Sequence, residues 1–112
     1  MEKEVATQVF ESLSSGIRLD VFRMLIKQGP TGMVAGEIAT LLGLAPTNLS
    51  FHLKAMSHSG LVNSVQEGRF LRYTANLDLI QNLIGYLTDE CCSGHPEWCE
   101  PISLEAKDQS IP

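Results

Sequence analysis

Cysteine is missing from the first 90 residues of this 112-residue chain. All three cysteines fall within nine residues, from Cys91 to Cys99. A small secreted protein typically carries an even number of cysteines that are spread along the chain and paired as disulfides. The odd, clustered set in this chain indicates a thiolate site rather than a disulfide framework.

Long hydrophobic runs are also missing. No stretch approaches the ~18 consecutive apolar residues of a membrane-spanning helix, and the N-terminal Met-Glu-Lys-Glu does not open a signal peptide. We therefore expect a cytoplasmic protein with no membrane partner. The chain has no glycine-rich phosphate loop, no recognisable acid–base pair and little length for a substrate cleft, so we do not expect an enzyme.

Positively charged residues are few, and they are distributed unevenly along the chain. The formal net charge of −5 would disfavour binding to nucleic acid if it were spread over the whole surface. Residues 1–76 hold seven Lys/Arg and six Asp/Glu, a net charge of +1, whereas residues 77–112 hold one Lys and seven Asp/Glu, a net charge of −6. The first part is roughly neutral, so phosphate contacts would come from a few placed residues.

The centre of the chain has the pattern of one amphipathic helix. Leu49, Leu53 and Met56 recur at i, i+4 and i+7 and form a narrow apolar stripe. Pro46 suits the first turn of this helix and Gly60 predicts its end. The opposite face is short-chained, hydrogen-bonding and mildly charged, which suits a helix in a DNA major groove. The candidate DNA-facing residues are Thr47, Ser50, Phe51 and Lys54 on this face and Asn48 and His52 on its flanks.

A helix-turn-helix surrounds this pattern. A shorter helix at 35–42 is expected to pack through Ile38, Leu41 and Leu42, and a three-residue turn at 43–45 joins it to the central helix. Two helices joined this tightly predict a helix-turn-helix. The other predicted helices are one at 5–13, one that Ser14 or Ser15 caps, and a last one that Asn76 or Asp78 caps.

A β-hairpin follows the helix-turn-helix. Leu61–Val65 and Phe70–Thr74 are rich in β-forming residues, and residues 66–69 are predicted to join them as a four-residue loop. The fold class is therefore mainly α with a β-hairpin wing, a winged helix-turn-helix of order α-α-α-α-β-β-α. Arg69 and Arg72 flank the loop, where they can reach phosphates or a minor groove.

The last helix predicts a homodimer. An apolar face outside a complete winged helix needs a cover, and the first helix together with the last helix of a second subunit can supply it. Such pairing would set two central helices about one DNA turn apart. Gly94 and Pro96 are expected to end the last helix. We place a DNA-binding and dimerisation domain at 1–92 and, at 93–112, an extension that completes the thiol site and continues as a mobile tail.

The cysteine cluster predicts a metalloid or metal site. Cys91 and Cys92 are adjacent, so in a regular helix they would point about a hundred degrees apart, but the Gly-x-Pro break after them allows the chain to fold Cys99 back. Trivalent arsenic or antimony forms a three-coordinate pyramid that three cysteines satisfy. Zinc usually takes four ligands, and His95 would complete a Cys₃His set. Trp98 either packs against the dimer helix or shields the site.

A redox switch is a further interpretation of the three thiols. Redox-sensing thiols sit in electropositive surroundings. Here Asp89, Glu90 and Glu97 lie close in sequence and disfavour the thiolate. A thiophilic ion can still displace the thiol protons, at a pH-dependent cost.

These motifs together resemble the ArsR/SmtB family of metal-responsive repressors, over about residues 5–92. The segment 13–19 resembles the opening of the family's second helix, and 49–54 resembles the core of its recognition helix. Leu61-Val62 and the wing at 69–73 fit as well. The resemblance implies a dimeric winged helix that represses its own operon until an inducer binds, with the candidate DNA-facing residues named above in contact with DNA.

The chain departs from two inducer sites that the resemblance implies. Arsenic sensors of the best-known type hold cysteines at the start of the third helix, where this chain has 33–37 without a thiol. Zinc sensors place Asp and His ligands along the last helix, where Asp78 is followed here by Gln81, Asn82 and Gly85. The C-terminal triplet resembles that of a subgroup of arsenite-responsive repressors.

The leading hypothesis is an As(III)- or Sb(III)-responsive repressor. It would bind double-stranded operator DNA as a homodimer, without a cofactor, and leave it when the metalloid binds Cys91, Cys92 and Cys99. Two alternatives stay open. One is a Zn/Cd/Pb-responsive repressor that uses a Cys₃His set, and the other is an arsenic or metal thiol chaperone that does not bind DNA.

Overall fold

A computed structural model describes residues 1–89 of the chain. Its helices are α1 (Lys3–Leu13), α2 (Gly16–Gln28), α3 (Ala35–Leu42), α4 (Pro46–His58) and α5 (Leu77–Leu87), and its strands are β1 (Met33–Val34), β2 (Val62–Glu67) and β3 (Phe70–Ala75). A short 3₁₀ turn, Gly29–Thr31, lies between α2 and β1. This order confirms the predicted winged helix-turn-helix and adds one strand to it.

The added strand, β1, turns the predicted hairpin into a three-stranded antiparallel sheet of order β1-β3-β2. Met33 pairs with Tyr73 and Val34 with Arg72. Two residues are too few to show an alternating pattern, and the partner strand lies far along the chain, so the sequence carries no local signal for β1.

Gly32 allows the chain to enter β1. Its φ of 63° lies in the region that favours glycine. A β-carbon at this position would overlap the carbonyl oxygen of Tyr73 in β3. The close approach of β1 to β3 therefore depends on the absence of a β-carbon at Gly32.

The hairpin between β2 and β3 is longer and tighter than predicted. Glu67 pairs with Phe70, so the loop consists of Gly68 and Arg69, and the four-residue loop expected at 66–69 is wrong. Gly68 has a positive φ of 63°, which a two-residue hairpin turn commonly requires. The polarity of Gln66 suggested a loop, but the outer wing is exposed on both faces. Polar residues there are therefore compatible with a strand.

The core lies between α2, α4 and the base of the sheet. The predicted stripe on α4 is confirmed, because Leu49, Leu53 and Met56 are all at most 1% exposed. On α3, Ile38 is fully buried, but Leu41 is 65% exposed and its predicted place in the core is wrong. The buried arc of α3 runs from Ile38 toward Ala39, and the 100° step per residue leaves Leu41 outside it.

Side-chain caps define the starts of two helices. The Ser15 side chain accepts a hydrogen bond from the backbone N–H of Arg18 at the start of α2. At the start of α5, the Asn76 side chain accepts from the N–H of Leu79, and its amide donates to the Gly60 carbonyl at 2.9 Å. These contacts show that Ser15 and Asn76, rather than Ser14 and Asp78, cap the two helices.

The end of α5 comes earlier than the sequence predicted. The helix ends at Leu87 rather than near Gly94, and Thr88 is its C-cap. The Thr88 hydroxyl donates to the Ile84 carbonyl at 2.8 Å, and the Thr88 N–H donates to the same carbonyl at 3.0 Å, so this residue closes the last turn of α5. The predicted domain boundary at 92/93, the three cysteines, His95 and Trp98 lie outside the described residues. Within residues 1–89, no helix has the length and apolar character needed to cross a membrane.

Candidate nucleic-acid interface

The turn between α3 and α4 fixes the direction of α4. Gly43 ends α3 in the left-handed conformation at φ 66°, which glycine adopts without strain. The N–H of Leu44 then donates to the Ala39 carbonyl at 3.0 Å. With its apolar stripe buried against the rest of the domain, α4 presents its other side to solvent.

The outward side of α4 contains most of the predicted DNA-facing residues. Thr47, Asn48, Ser50, Phe51 and Lys54 are exposed, and they lie on the side opposite Leu49, Leu53 and Met56. Thr47, Phe51 and Lys54 are spaced at i, i+4 and i+7, so they follow one line along the helix. The structure therefore brings five of the six predicted residues of α4 onto one accessible surface, which we call the α4 outer face.

The first turn of α4 has no side-chain cap. Its N-cap residue is Ala45, and its first residue, Pro46, has no N–H. The first helical bond runs from the N–H of Leu49 to the Ala45 carbonyl, so the N–H groups of Thr47 and Asn48 have no partner within the helix. Unpaired N–H groups at the positive end of a helix favour an anion such as a phosphate.

His52 is placed differently from its neighbours. It is half-buried, and its Nδ1 accepts a hydrogen bond from Nε of Arg18 in α2 at 3.2 Å. Nη1 of the same arginine donates to the Ser12 carbonyl in α1, also at 3.2 Å. Because guanidinium only donates, the imidazole is the tautomer with its proton on Nε2. His52 therefore connects α4 to α1 and α2, and it lies at the margin of the α4 outer face.

Sequence reasoning assigned no role to Arg18. The residue belongs to the segment 13–19 that resembled the family, but nothing in that pattern pairs it with a histidine 34 positions away. The i and i+4 spacings that reveal helix faces do not report contacts between helices. Its role becomes visible only in the tertiary structure.

The two predicted wing residues have different surroundings. Arg69 lies in the two-residue loop and is exposed. Arg72 forms an ion pair with Glu67, with Nε at 3.1 Å from both carboxylate oxygens, and its Nη1 donates to the Thr31 carbonyl at 3.1 Å. Arg72 thus braces the wing against the 3₁₀ turn, while Arg69 faces solvent.

Metal-binding groups are not found in the described part of the chain. Within residues 1–89, no three His, Cys, Asp or Glu side chains converge in a way that would hold an ion. The predicted site at Cys91, Cys92 and Cys99 lies beyond these residues and stays a prediction.

A family comparison matches the central part of this arrangement. Residues 13–65, from the end of α1 into β2, match the model of the helix-turn-helix domain. The chain is a winged helix-turn-helix protein.

Two proteins similar to this winged helix-turn-helix protein are named as transcriptional regulators. It is 28% identical to the HTH-type transcriptional regulator YgaV of Escherichia coli, over 80% of this chain and 88% of that protein. It is 27% identical to the transcriptional repressor SdpR of Bacillus subtilis, over 70% of this chain and 84% of that one.

Solved structures show the same fold. An ArsR-like transcriptional regulator from a Rhodococcus species superimposes with a TM-score of 0.68 at 27% identity, covering 96% of this chain and 93% of that one. A homodimeric winged helix-turn-helix DNA-binding domain from Mycobacterium bovis, described as a possible ArsR-family regulator, superimposes with a TM-score of 0.63 at 27% identity, covering 82% and 85%. These likenesses show that the chain shares its fold with an ArsR-like regulator and with a homodimeric DNA-binding domain.

Proposed function

We propose that this chain is a dimeric transcriptional repressor that is released from operator DNA when As(III) or Sb(III) binds three cysteine thiolates. The observation that supports DNA binding most directly is the α4 outer face. It is an accessible, hydrogen-bonding helix surface held in place by a tight turn. The similarity to SdpR, a transcriptional repressor, supports repression as the regulatory outcome.

DNA contacts follow from the geometry of this face. The side chains of Thr47, Asn48 and Ser50 can hydrogen-bond with base edges in a major groove. Lys54 on α4 and Arg69 in the wing supply the positive charges that bind phosphates and set the orientation on the duplex. With few cations involved, we expect a modest salt dependence of binding.

The first experiment tests DNA binding itself. A gel shift with the DNA upstream of the gene should give a specific complex, whereas a thiol chaperone should give none. Lys54→Ala should weaken the complex and lower the magnitude of the slope of log K against log[salt] by about 1.8, because the dimer loses two phosphate contacts, one in each subunit. Lys27→Ala is the matched control, because Lys27 is an exposed lysine of α2 that is not among the predicted DNA-facing residues. Equal slopes for the two variants would show that Lys54 does not contact a phosphate.

Dimerisation would complete the DNA-binding unit. Only Leu83 of α5 is buried in the described chain, while Leu77, Ile84 and Leu87 are each more than half exposed. Phe10 of α1 is 47% exposed. The homodimeric state of the Mycobacterium bovis relative supports pairing of such surfaces between two copies, and a two-fold pair would present two α4 helices to successive turns of DNA.

The cysteine cluster supports As(III) or Sb(III) as the inducer. Cys91 follows closely after Leu87, the last residue of α5, so a ligand at the thiols would act next to the proposed dimer helix. Three thiolate donors match the three-coordinate preference of trivalent arsenic and antimony. A typical coupling of about 1–3 kcal/mol between two such sites would change operator affinity about 5- to 150-fold.

Release by arsenite is tested on operator complexes of the reduced protein. Cys99→Ser should keep operator binding but lose release, whereas Ser93→Ala in the same segment should behave like the parent protein. His95→Ala should leave release by arsenite unchanged, and loss of zinc-dependent release in that variant would favour the Cys₃His alternative. Normal release of the Cys99→Ser variant by arsenite would contradict the three-thiol site.

A further inference from the structure

Phe51 is an anomaly on the α4 outer face. It is 70% exposed, more than any other large hydrophobic side chain in the described part of the chain. A phenyl ring left in water forgoes the stabilisation that burial would give. The fold does not need it there, since Leu49, Leu53 and Met56 already anchor α4 in the core.

The position of Phe51 is central to the proposed interface. Thr47 lies one turn before it and Lys54 nearly one turn after it, on the same line along the helix. A ligand that contacts both of these polar residues must also cover the ring. Phe51 would therefore be buried only when the α4 outer face is occupied.

The Phe51 ring also contacts a neighbouring aromatic ring, that of His52. The rings of Phe51 and His52 meet edge to face, with centroids 6.3 Å apart and planes at 76°, an arrangement that aromatic pairs prefer. His52 is itself bonded to Arg18, which is bonded to the Ser12 carbonyl. This series of contacts, which we call the Arg18–His52 brace, links the orientation of an exposed ring to the α1–α2 junction.

We propose that Phe51 recognises the C5-methyl group of a thymine in the major groove. This proposal rests on the proposed function, because it requires α4 to enter that groove. Among the base-edge groups of the major groove, only the thymine methyl is apolar, and the others are hydrogen-bond donors and acceptors that a phenyl ring cannot satisfy. The contact with His52 restricts the ring on one side and so reduces the freedom that it can lose on binding. The apolar contact itself selects thymine over bases without the methyl group.

The test removes one methyl group at a time from the DNA. A binding duplex is first selected from a random library with the full-length reduced protein, and each thymine in it is then replaced singly by deoxyuridine. One position in each half-site should lose about fourfold in affinity, the effect of one buried methyl-sized group. Phe51→Ala should bind the thymine duplex more weakly and show no preference between thymine and uracil at that position.

Two variants provide the controls. Phe51→Leu keeps an apolar side chain at the same place and should retain part of the preference. Phe70→Ala removes an exposed phenylalanine of the wing, 59% exposed, and should retain all of it. Arg18→Met should reduce the thymine-to-uracil ratio without changing the salt slope, and Arg18→Lys should restore part of the ratio, if the Arg18–His52 brace positions the ring.

The possible results separate this proposal from the one on which it rests. If a duplex is selected but no thymine shows a methyl effect, or if Phe51→Ala keeps the effect, Phe51 does not recognise thymine although the repressor function stands. If no duplex is selected at all, both proposals fail.

Discussion

The two arginines of the wing look equivalent in sequence but differ in the structure. Arg69 is free to meet a phosphate, whereas Arg72 is held by Glu67 and by the Thr31 carbonyl. Arg69→Ala should lower the magnitude of the salt slope of DNA binding by about 1.8, one phosphate contact in each subunit of the dimer, with little effect on stability. Arg72→Ala should instead lower the free energy of unfolding by about 1 kcal/mol, since it removes an exposed ion pair and a charged hydrogen bond. Salt titrations and urea denaturation of both variants measure these effects. An equal loss of slope would show that Arg72 contacts phosphate as Arg69 does.

Tyr73 in β3 is expected to make the free energy of unfolding depend on pH. Burial raises the pKa of Tyr73 above 10.0, its ordinary value. The unfolded chain therefore loses the phenol proton at a lower pH than the folded protein, and the free energy of unfolding falls as the pH rises from 10.0 through the raised pKa. Tyr73→Phe should flatten this alkaline decline in urea denaturation.

The matched control for Tyr73 is Tyr86→Phe, which removes a phenol from a 37% exposed position in α5. The comparison concerns the slope with pH and not the absolute stability, because either substitution can shift the baseline. An unchanged alkaline slope in Tyr73→Phe would show that ionisation of Tyr73 does not weaken the fold.

Among the elements, β1 depends most on a single residue. Gly32→Ala should destabilise the domain by at least about 2 kcal/mol, because it combines an unfavourable φ with overlap at the Tyr73 carbonyl. Gly36→Ala in α3 is the matched control. A β-carbon there meets nothing within 4 Å, and alanine in a helix should stabilise it by about 0.5–1 kcal/mol. Urea unfolding followed by circular dichroism measures both, and effects of the same sign would contradict the role of Gly32.

At the scale of the whole molecule, the exposed apolar face of α5 is the feature on which the proposed dimer depends. Ile84→Glu places a charge on a residue that is 53% exposed and is proposed to be buried in the dimer. The variant should sediment as a monomer with unchanged helix content, and its operator affinity should fall roughly 10²-fold because one of two linked contacts is lost. Asn82→Glu adds the same charge on the other side of α5 and should remain dimeric. A dimeric Ile84→Glu protein would place the subunit interface elsewhere.

Much of the candidate DNA-facing surface was predictable from sequence, because the signals for it are local. The apolar stripe on α4 repeats with the helix period, so it identified both the buried residues and, by exclusion, the α4 outer face. The capping candidates and the tight α3–α4 turn are also encoded within a few residues. Patterns of this kind report which way a side chain points relative to its own helix.

Contacts between distant segments were decided by the tertiary structure. Pairing of β1 with β3, the bond from Arg18 to His52 across 34 positions, and the bond from Arg72 to Thr31 across 41 all depend on how the chain returns to itself. They determine which predicted DNA-facing residues are accessible and which are engaged within the fold. Periodicity along the chain indicates the inward and outward sides of each element, but the partner met on the inward side depends on the packing of the complete domain.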